Sequence, residues 1–493
     1  MWRKLARKWW FWLGLAGGSL FVLVVGGAYV EWKITRTRGE ARRDEAVRRL
    51  DAEQPGWRAA ELCAARNAAL PPKDQNAAER ALAAVKLVPA SFEKLKPEDQ
   101  WWSGLKPGVL PHPEDLCKSA PLYRECGDAI AVARTVRHLP RGGFPFQFAE
   151  PDPFRTLMPY TQKVRVAGAV LEYDAATLAA TGHADEAIES CHALLNCGRG
   201  LGDEPTLISQ LVRMALVALA RGATERTLGL GEPTAGLAEL QAAFADETMA
   251  PRLTYGLRGE RAMMFLATQS IDDGMIPPED VAAAHGLQTK TRGGALHVRY
   301  GMIVYRKYLP GQQATMIDLY NRMIEADKLP APERAEAIDK IALPPRNYEN
   351  MLVYLLIPTL RQVAGDDTQT RANCATAVAA LACERYRQRV GHWPGSLAAI
   401  PRDILPTVLE DPYTGRPLLY RPTADGVVVY AAGPNGVDDG GATLYPTGKP
   451  GTDVGFRLFD PQYRRQPPPP KTPKPGEFDP TVLPDEPPPG DEP

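Results

Sequence analysis

The sequence predicts a mainly α-helical protein with one N-terminal transmembrane helix, an irregular all-helical domain, a small C-terminal α+β module and a disordered proline-rich tail. Three observations lead to this fold class. An uncharged segment near the N-terminus is long enough to cross a bilayer, apolar residues through the centre recur at helical spacing, and two short strand patterns follow the last predicted helix. A chain of 493 residues can bury the cores of two or three domains.

The N-terminal apolar segment, residues 9–30, is predicted to be a transmembrane helix. It contains 22 residues without a charge, and a helix of that length extends about 33 Å, enough to span a bilayer. Tryptophan and tyrosine at both of its ends are typical of anchors among lipid headgroups. Because a cleavable signal peptide usually has a shorter apolar region, we favour an uncleaved signal-anchor. The lipid bilayer is therefore the first expected partner.

Basic residues flank this segment on both sides and leave two orientations open. Residues 1–8 contain four basic residues, which favours a cytoplasmic N-terminal region. Seven more basic residues lie between 33 and 49 and favour a cytoplasmic body instead. Long domains cross the membrane largely regardless of charge. We therefore expect a single-pass protein of the cell membrane, with its N-terminus in the cytoplasm and its body outside.

Residues 33–365 are predicted to form the helical domain. Its clearest helical block covers 161–228, where three stripes of apolar residues recur at steps of three and four. The stripes are Val164, Ala167, Val170 and Leu171, then Ala187, Ile188, Cys191, Leu194 and Leu195, and then Ile208, Leu211, Val212, Ala215 and Leu219. No second copy appears at a fixed period, so a repeat array is not expected.

The seven cysteines invite disulfide or zinc interpretations, and helix geometry removes most of them. Two residues nine apart on one helix are about 13 Å apart, beyond disulfide reach. Buried core thiols are therefore expected at Cys191, Cys197, Cys374 and Cys383. Cys117 and Cys126 differ, because Pro121 between them indicates a loop and a body outside the cytoplasm would permit oxidation. This pair is a disulfide candidate, with two unpaired thiols as the alternative.

Charge and motif content favour an interaction or scaffolding role over catalysis. A net charge of −1 argues against nucleic acid as a partner. The sequence has no nucleophile elbow, zinc-protease motif or P-loop. Its densest charged group, Arg252, Arg258, Glu260 and Arg261, is interpreted as a helix N-terminus with local ion pairs. A hydrolase-type enzyme in the helical domain remains an alternative, and it would need a polar pocket around Glu260.

Residues 366–446 are predicted to form the α+β module. Apolar residues at helical spacing continue to Val390, and Gly391 and Pro394 then end the helix. Two strand patterns, 417–421 and 427–432, are joined by a turn containing Asp425 and Gly426. A two-stranded hairpin is marginally stable by itself, so we expect the 371–390 helix to pack on it. Residues 447–493 are expected to form the disordered tail, since Pro461–Pro493 alone contains 13 prolines.

Two resemblances add to this interpretation. The segment from Leu50 to Leu70 is similar to the start of uncharacterised bacterial membrane-anchored proteins, for which no activity is implied. The C-terminal module resembles the globular domain of type II secretion major pseudopilins. The matching positions are Tyr386, Gly391, Pro394, Asp411, Pro412, Gly415, Pro417, Tyr420, Tyr430, Gly433, Gly436, Asp438 and Asp439.

The pseudopilin resemblance implies a calcium site at Asn435, Asp438 and Asp439. Calcium prefers six to eight oxygen ligands, which these side chains and the carbonyls of a glycine-rich loop could supply in part. The alternative is a plain Asp/Asn/Gly turn. No other cofactor is expected. The sequence thus predicts an envelope protein that binds an unidentified envelope partner, and the resemblance offers a component of a type II secretion or pilus-like system as the alternative.

Overall fold

The computed structural model describes residues 2–277, 280, 301, 305–442 and 453–470. Within them the chain is mainly helical, as predicted, with a small antiparallel sheet near the C-terminus. The helices are α1 (Trp2–Glu53), α2 (Ala59–Ala68), α3 (Ala77–Val85), α4 (Ala90–Glu93), α5 (Pro113–Glu125), α6 (Gly127–Arg134), α7 (Pro159–Thr181), α8 (Ala184–Arg199), α9 (Leu207–Leu230), α10 (Leu237–Thr248), α11 (Arg252–Asp272), α12 (Leu309–Asp327), α13 (Glu333–Asp339) and α14 (Met351–Val390). The strands are β1 (Leu419–Thr423), β2 (Gly426–Ala431) and β3 (Val454–Phe459).

Helix α1 is a single helix of 52 residues whose two halves have different surroundings. Its apolar half is exposed, with Leu23 at 71% and Val24 at 61% of full accessibility. Its second half packs on α12, where a Cβ on Gly39 would lie 2.8 Å from the backbone nitrogen of Gly311. Leu50, near the end of α1, is fully buried. The long apolar N-terminal helix that the sequence predicts is therefore present, and it continues without a break into the body.

Two described helices are long and apolar enough to cross a membrane, α1 and α9. They differ in burial, because 61% of the apolar stretch of α9 lies inside the body whereas that of α1 is fully exposed. The burial of α9 explains its composition as that of a core helix. Only α1 therefore remains as a candidate anchor among the described residues.

Helices α7, α8 and α9 form the centre of the body. The first two apolar stripes expected from the sequence are buried in the body, Leu171 and Leu194 among them. The third stripe was predicted wrongly, because Ile208, Ala215 and Leu219 are exposed and α9 buries Leu216 and Val217 instead. Helices α7 and α9 approach closely at Gly168, where a Cβ would lie 2.3 Å from Leu216 Cδ2. Gly182 ends α7 in the left-handed region, with φ of 91°, and thereby lets α8 fold back as a helical hairpin.

The C-terminal sheet has three strands in the order β1-β2-β3, all antiparallel. The predicted hairpin is confirmed as β1 and β2, but the expectation of disorder throughout 447–493 is wrong at β3. Val454, Phe456 and Leu458 alternate along β3 and are buried, and Phe456 pairs with Val429 of β2. The proline content of the following segment hid this short period-two pattern. The sheet therefore gains its third strand from the segment interpreted as a tail.

Helix α14 covers this sheet and belongs to the body at the same time. It packs on β2 and β3, as the sequence predicts for its 371–390 part, and it also packs on α9 and α10. Val378 and Leu381 of α14 share one continuous core with Leu194 of α8 and Phe456 of β3. Gly391 ends the helix at a φ of 89°, as predicted. The expected boundary between 365 and 366 thus falls inside α14, and no gap in the core separates the module from the body.

Helix α9 covers the outer edge of β3. The guanidinium of Arg221 donates to the carbonyl oxygen of Gly455, and the backbone N–H of Arg457 donates to Glu225 Oε1 at 2.7 Å. Unpaired backbone groups at a sheet edge would otherwise be open to pairing with another chain. These two side chains therefore close one edge of the sheet and fix β3 against the body.

Candidate functional site

The loop from Gly433 to Gly441 follows β2, and its acidic side chains are bound to donors within the protein. Asp438 Oδ1 accepts hydrogen bonds from the Tyr430 hydroxyl at 3.0 Å and from the Gly440 N–H at 2.8 Å. Asn435 donates from Nδ2 to Asp439 Oδ2 at 3.1 Å, and its Oδ1 accepts the Val437 N–H. The amide of Asn435 thus presents nitrogen, and not oxygen, to the carboxylate of Asp439.

A third carboxylate, Asp453, joins this loop from the segment that precedes β3. Asp453 is fully buried, and its two oxygens accept the N–H groups of Asp439 at 3.2 Å and Gly441 at 2.7 Å. Burial raises the pKa of Asp453, the two N–H donors oppose that rise, and the nearby charges of Asp438 and Asp439 add to it. No local pattern pointed to Asp453, because it lies 14 residues beyond Asp439.

Hydrogen bonds within the protein occupy several of the loop oxygens that calcium would need. The carboxylates bind N–H and O–H donors, and the part of the chain that is described contains no group of three or more His, Cys, Asp or Glu side chains able to hold a metal. Calcium would require several of these oxygens to turn toward a common centre. Calcium binding at Asn435, Asp438 and Asp439 therefore stays a prediction from the resemblance.

The disulfide candidate does not form. Cys117 is exposed, Cys126 is buried, and both are free. The segment between them is helix α5, with Pro121 inside it, and not the loop expected from that proline. Nine residues of helix place the two sites about 13 Å apart, too far for a bond. The expected core thiols are confirmed as buried and free at Cys191, Cys197, Cys374 and Cys383.

Two residues of the charged group at the start of α11 are buried, and the other two, Arg258 and Glu260, are half-buried. Arg252 has no exposed surface, and Arg261 retains 2%. Glu260 accepts the N–H of Leu207, the first residue of α9, at 3.1 Å. Burial raises the pKa of Glu260 to about 7, with the Leu207 N–H opposing the rise. The interpretation of exposed local ion pairs is therefore wrong, because tertiary packing covers the first turns of α11.

Arg252 belongs to a buried set of ion pairs that the sequence did not predict. We call this set the arginine network, and its members are Arg213, Arg252, Arg334, Arg371, Glu247, Asp327 and Asp367. Arg252 contacts Glu247 and Asp367, each at 2.9 Å. The members come from six helices spread over residues 213–371, so no local spacing could have revealed them. The network connects α14 to the helices around it.

A groove of about 1000 Å³ is lined by residues between 91 and 122. Two prolines near the C-terminus, Pro468 and Pro469, complete its lining. Its floor includes Trp101 and Trp102, which belong to an aromatic cluster with Phe92 and Tyr173. Trp101 is half-buried and donates from Nε1 to Ser119 Oγ at 3.1 Å. The groove therefore has a preformed aromatic wall, which the packing of α5 and α7 holds in place.

The C-terminal segment leads directly to this groove. Gln466 pairs with the chain beside Val109, donating to the Gly108 carbonyl at 2.8 Å and accepting the Leu110 N–H at 2.9 Å. Arg464 and Arg465 precede this contact, and Arg464 pairs with the buried Glu384 at 2.9 Å. Pro468 and Pro469 then line the groove. No sequence pattern predicts this contact, which joins segments more than 350 residues apart.

Compared with protein-family models, with curated proteins and with solved structures, the chain shows no significant similarity to any of them.

Proposed function

We propose that this chain is a membrane-anchored envelope protein with an interaction or scaffolding role, whose body is held in a fixed position on the membrane. The observation that carries the proposal is the continuity of α1. The helix passes from an exposed apolar half directly into a half that is packed in the body. An exposed apolar stretch of this length is costly in water and matches the thickness of a bilayer.

The junction between the two halves supports a rigid attachment. Glu31, the first residue after the apolar stretch, pairs with Lys307 at 2.7 Å, and Arg36 pairs with Asp272 at 2.8 Å. Gly39 then allows α1 and α12 to approach closely. About 13 Å of helix separates Gly39 from the end of the apolar stretch. The body therefore begins at the membrane surface, an arrangement suited to presenting a binding surface at a constant height.

Membrane extraction of the full chain tests the anchor. We expect the wild-type protein to stay with membranes under alkaline carbonate, and the variant Leu23→Arg with Val24→Arg to be released. Each arginine at the centre of the span costs about 3 kcal/mol on insertion. The matched control is Glu45→Gln with Arg49→Gln, which changes an exposed ion pair in the second half of the same helix. Equal retention of wild type and the arginine variant would refute the proposal.

Orientation is tested with an enzymatic reporter active only outside the cytoplasm. The reporter belongs after Pro493, because a fusion between β2 and β3 would separate β3 from its sheet. We expect high activity, in line with a cytoplasmic N-terminus and an exported body. Activity from a reporter that works only in the cytoplasm would show that the basic residues following the span determine the topology.

A component of a type II secretion or pilus-like system is the second candidate, and the antiparallel sheet packed on the end of α14 is the observation that favours it. N-terminal sequencing of the mature chain distinguishes the two functions. An intact Met1 supports a stable anchor, whereas removal of residues before the apolar stretch supports processing and assembly. Cross-linking in native envelopes, followed by capture of the full chain, identifies the partner in either case.

A further inference from the structure

The groove between residues 91 and 122 has the chemistry of a site for proline-rich peptide. Proline-rich segments bind aromatic grooves in the extended polyproline conformation, because that conformation is already ordered before binding. Trp101 supplies an aromatic surface here, and Pro468 and Pro469 already line the groove. Its rim carries the exposed acidic side chains Glu98, Asp99 and Glu114, and the exposed Lys106 and Lys118 also line the groove.

We propose that this groove binds the chain's own proline-rich segment, which begins at Lys471. The described chain ends at Pro470, directly after the groove residues Pro468 and Pro469, and 23 residues follow it in the sequence. The next five are Lys-Thr-Pro-Lys-Pro, so prolines alternate with the two basic residues Lys471 and Lys474. Five residues in the polyproline conformation extend about 15 Å, which is enough to follow the acidic rim. The inference does not depend on membrane anchoring.

Attachment of the chain next to the groove favours this occupant over a separate peptide. Gln466 and Arg465 are bound to the body through backbone and side-chain hydrogen bonds, including Arg465 to the Ala180 carbonyl at 2.8 Å. A segment tethered by a few residues has an effective concentration of about 1 mM or more. The tethered segment therefore occupies the groove even if its own affinity is weak. A separate proline-rich partner must displace it in order to bind.

Hydrogen exchange compares the full chain with a chain that ends at Pro470, both in the same detergent. We expect backbone amides of residues 98–122 to exchange about tenfold faster in the shortened chain, because an effective concentration near 1 mM fills a site of about 0.1 mM affinity. Synthetic peptide 471–493 should restore the protection in the shortened chain and should not bind the full chain. Equal exchange in both chains would overturn the proposal.

Charge reversal tests which residues make the contact. Lys471→Glu with Lys474→Glu in the full chain should raise exchange in 98–122, and adding Glu98→Lys with Glu114→Lys should lower it again. Glu98 and Glu114 are exposed, so we expect the protein to stay folded when they are replaced. A change in exchange in these variants would then report the contact itself. The control Asp491→Lys with Glu492→Lys changes the far end of the same segment and should have no effect. Protection that varies with protein concentration would assign the groove to a second copy and overturn the intrachain contact.

Discussion

The acidic loop that follows β2 and the buried arginine network place carboxylates in two different settings. In the loop, Asp438 and Asp453 accept hydrogen bonds from backbone N–H groups and a tyrosine hydroxyl. In the network, Glu247 and Asp367 accept from arginine guanidiniums and are almost completely buried. Burial opposes the charge of both network carboxylates, but their arginine partners outweigh it and lower the pKa of each.

Carboxylates that are adjacent in sequence are not the ones that we expect to contribute most to stability. Asp438 and Asp439 stand together in a glycine-rich stretch and attract attention as a binding site. The network members are scattered along the chain, yet they connect six helices and leave few charges unpaired. A buried ion pair that loses one partner is costly, since the remaining charge is left in a low-dielectric interior. We therefore expect the network to dominate stability and the loop to contribute little.

The largest effect is expected from Arg252→Met. Removing this guanidinium leaves Glu247 and Asp367 buried without a central partner, so the free energy of unfolding should fall by about 3–5 kcal/mol. Chemical denaturation followed by circular dichroism measures the change. Arg389→Met is the matched control, because Arg389 pairs with Asp403 at 2.6 Å on an exposed surface. Its effect should stay below about 1 kcal/mol. Similar losses in both variants would remove the distinction between buried and exposed pairs.

Glu260 sharpens the comparison because it is desolvated and, among the described residues, no arginine pairs with its carboxylate. Its pKa is raised from 4.5 to about 7, so the folded state binds more protons than the unfolded state between these values. Stability contributed by Glu260 is therefore present below pH 4.5 and is lost as pH rises to about 7, a change of about 3 kcal/mol. Glu260→Gln should remove this dependence and stabilise the protein at pH 8 relative to wild type.

The network carboxylates should give the opposite pH dependence. Glu247 and Asp367 have lowered pKa values in the folded state, so their contribution is present at neutral pH and is lost on acidification below their unfolded values. Unfolding measured from pH 3 to pH 8 in wild type and Glu260→Gln separates the two contributions. A wild-type profile identical to that of Glu260→Gln would show that Glu260 is already ionised in the folded protein.

A smaller effect is expected at Asp453. Asp453→Ala leaves the N–H groups of Asp439 and Gly441 without their acceptor, which should cost about 1–2 kcal/mol. Asp453→Asn keeps one acceptor oxygen and also removes the repulsion from Asp438 and Asp439, so its cost should be smaller. Thermal unfolding of the full chain ranks the two variants. A larger loss for the asparagine variant would show that the charge itself is required in the loop.

The smallest effect concerns calcium. Because the loop oxygens already bind protein donors, we expect calcium to change the melting temperature of the full chain by less than about 1 °C. The double variant Asp438→Ala with Asp439→Ala should respond in the same way as wild type. A clear rise in wild type that the double variant lacks would show instead that the loop rearranges around the ion, as the pseudopilin resemblance implies.

The sequence by itself determined the local elements of this protein. The apolar stretch of α1, the stripes of α7 and α8, the end of α14 at Gly391 and the β1–β2 hairpin were all predicted correctly, whereas the stripe of α9 was assigned to the wrong face. Each of these depends on residues two to four positions apart, where helix and strand periodicity leave a readable pattern. Burial of Cys191 and Cys374 followed from the same patterns, because both residues lie on apolar helix faces.

Only the tertiary structure decided the contacts between distant segments. Strand β3 takes its place because β2 and α14 offer its apolar residues a partner, and a proline-rich neighbourhood concealed it. The arginine network, the position of Asp453 beside the loop and the course of Gln466 along the groove all join residues that share no local spacing. Such pairings depend on which faces remain uncovered once the helices have packed, and composition and periodicity do not encode that choice.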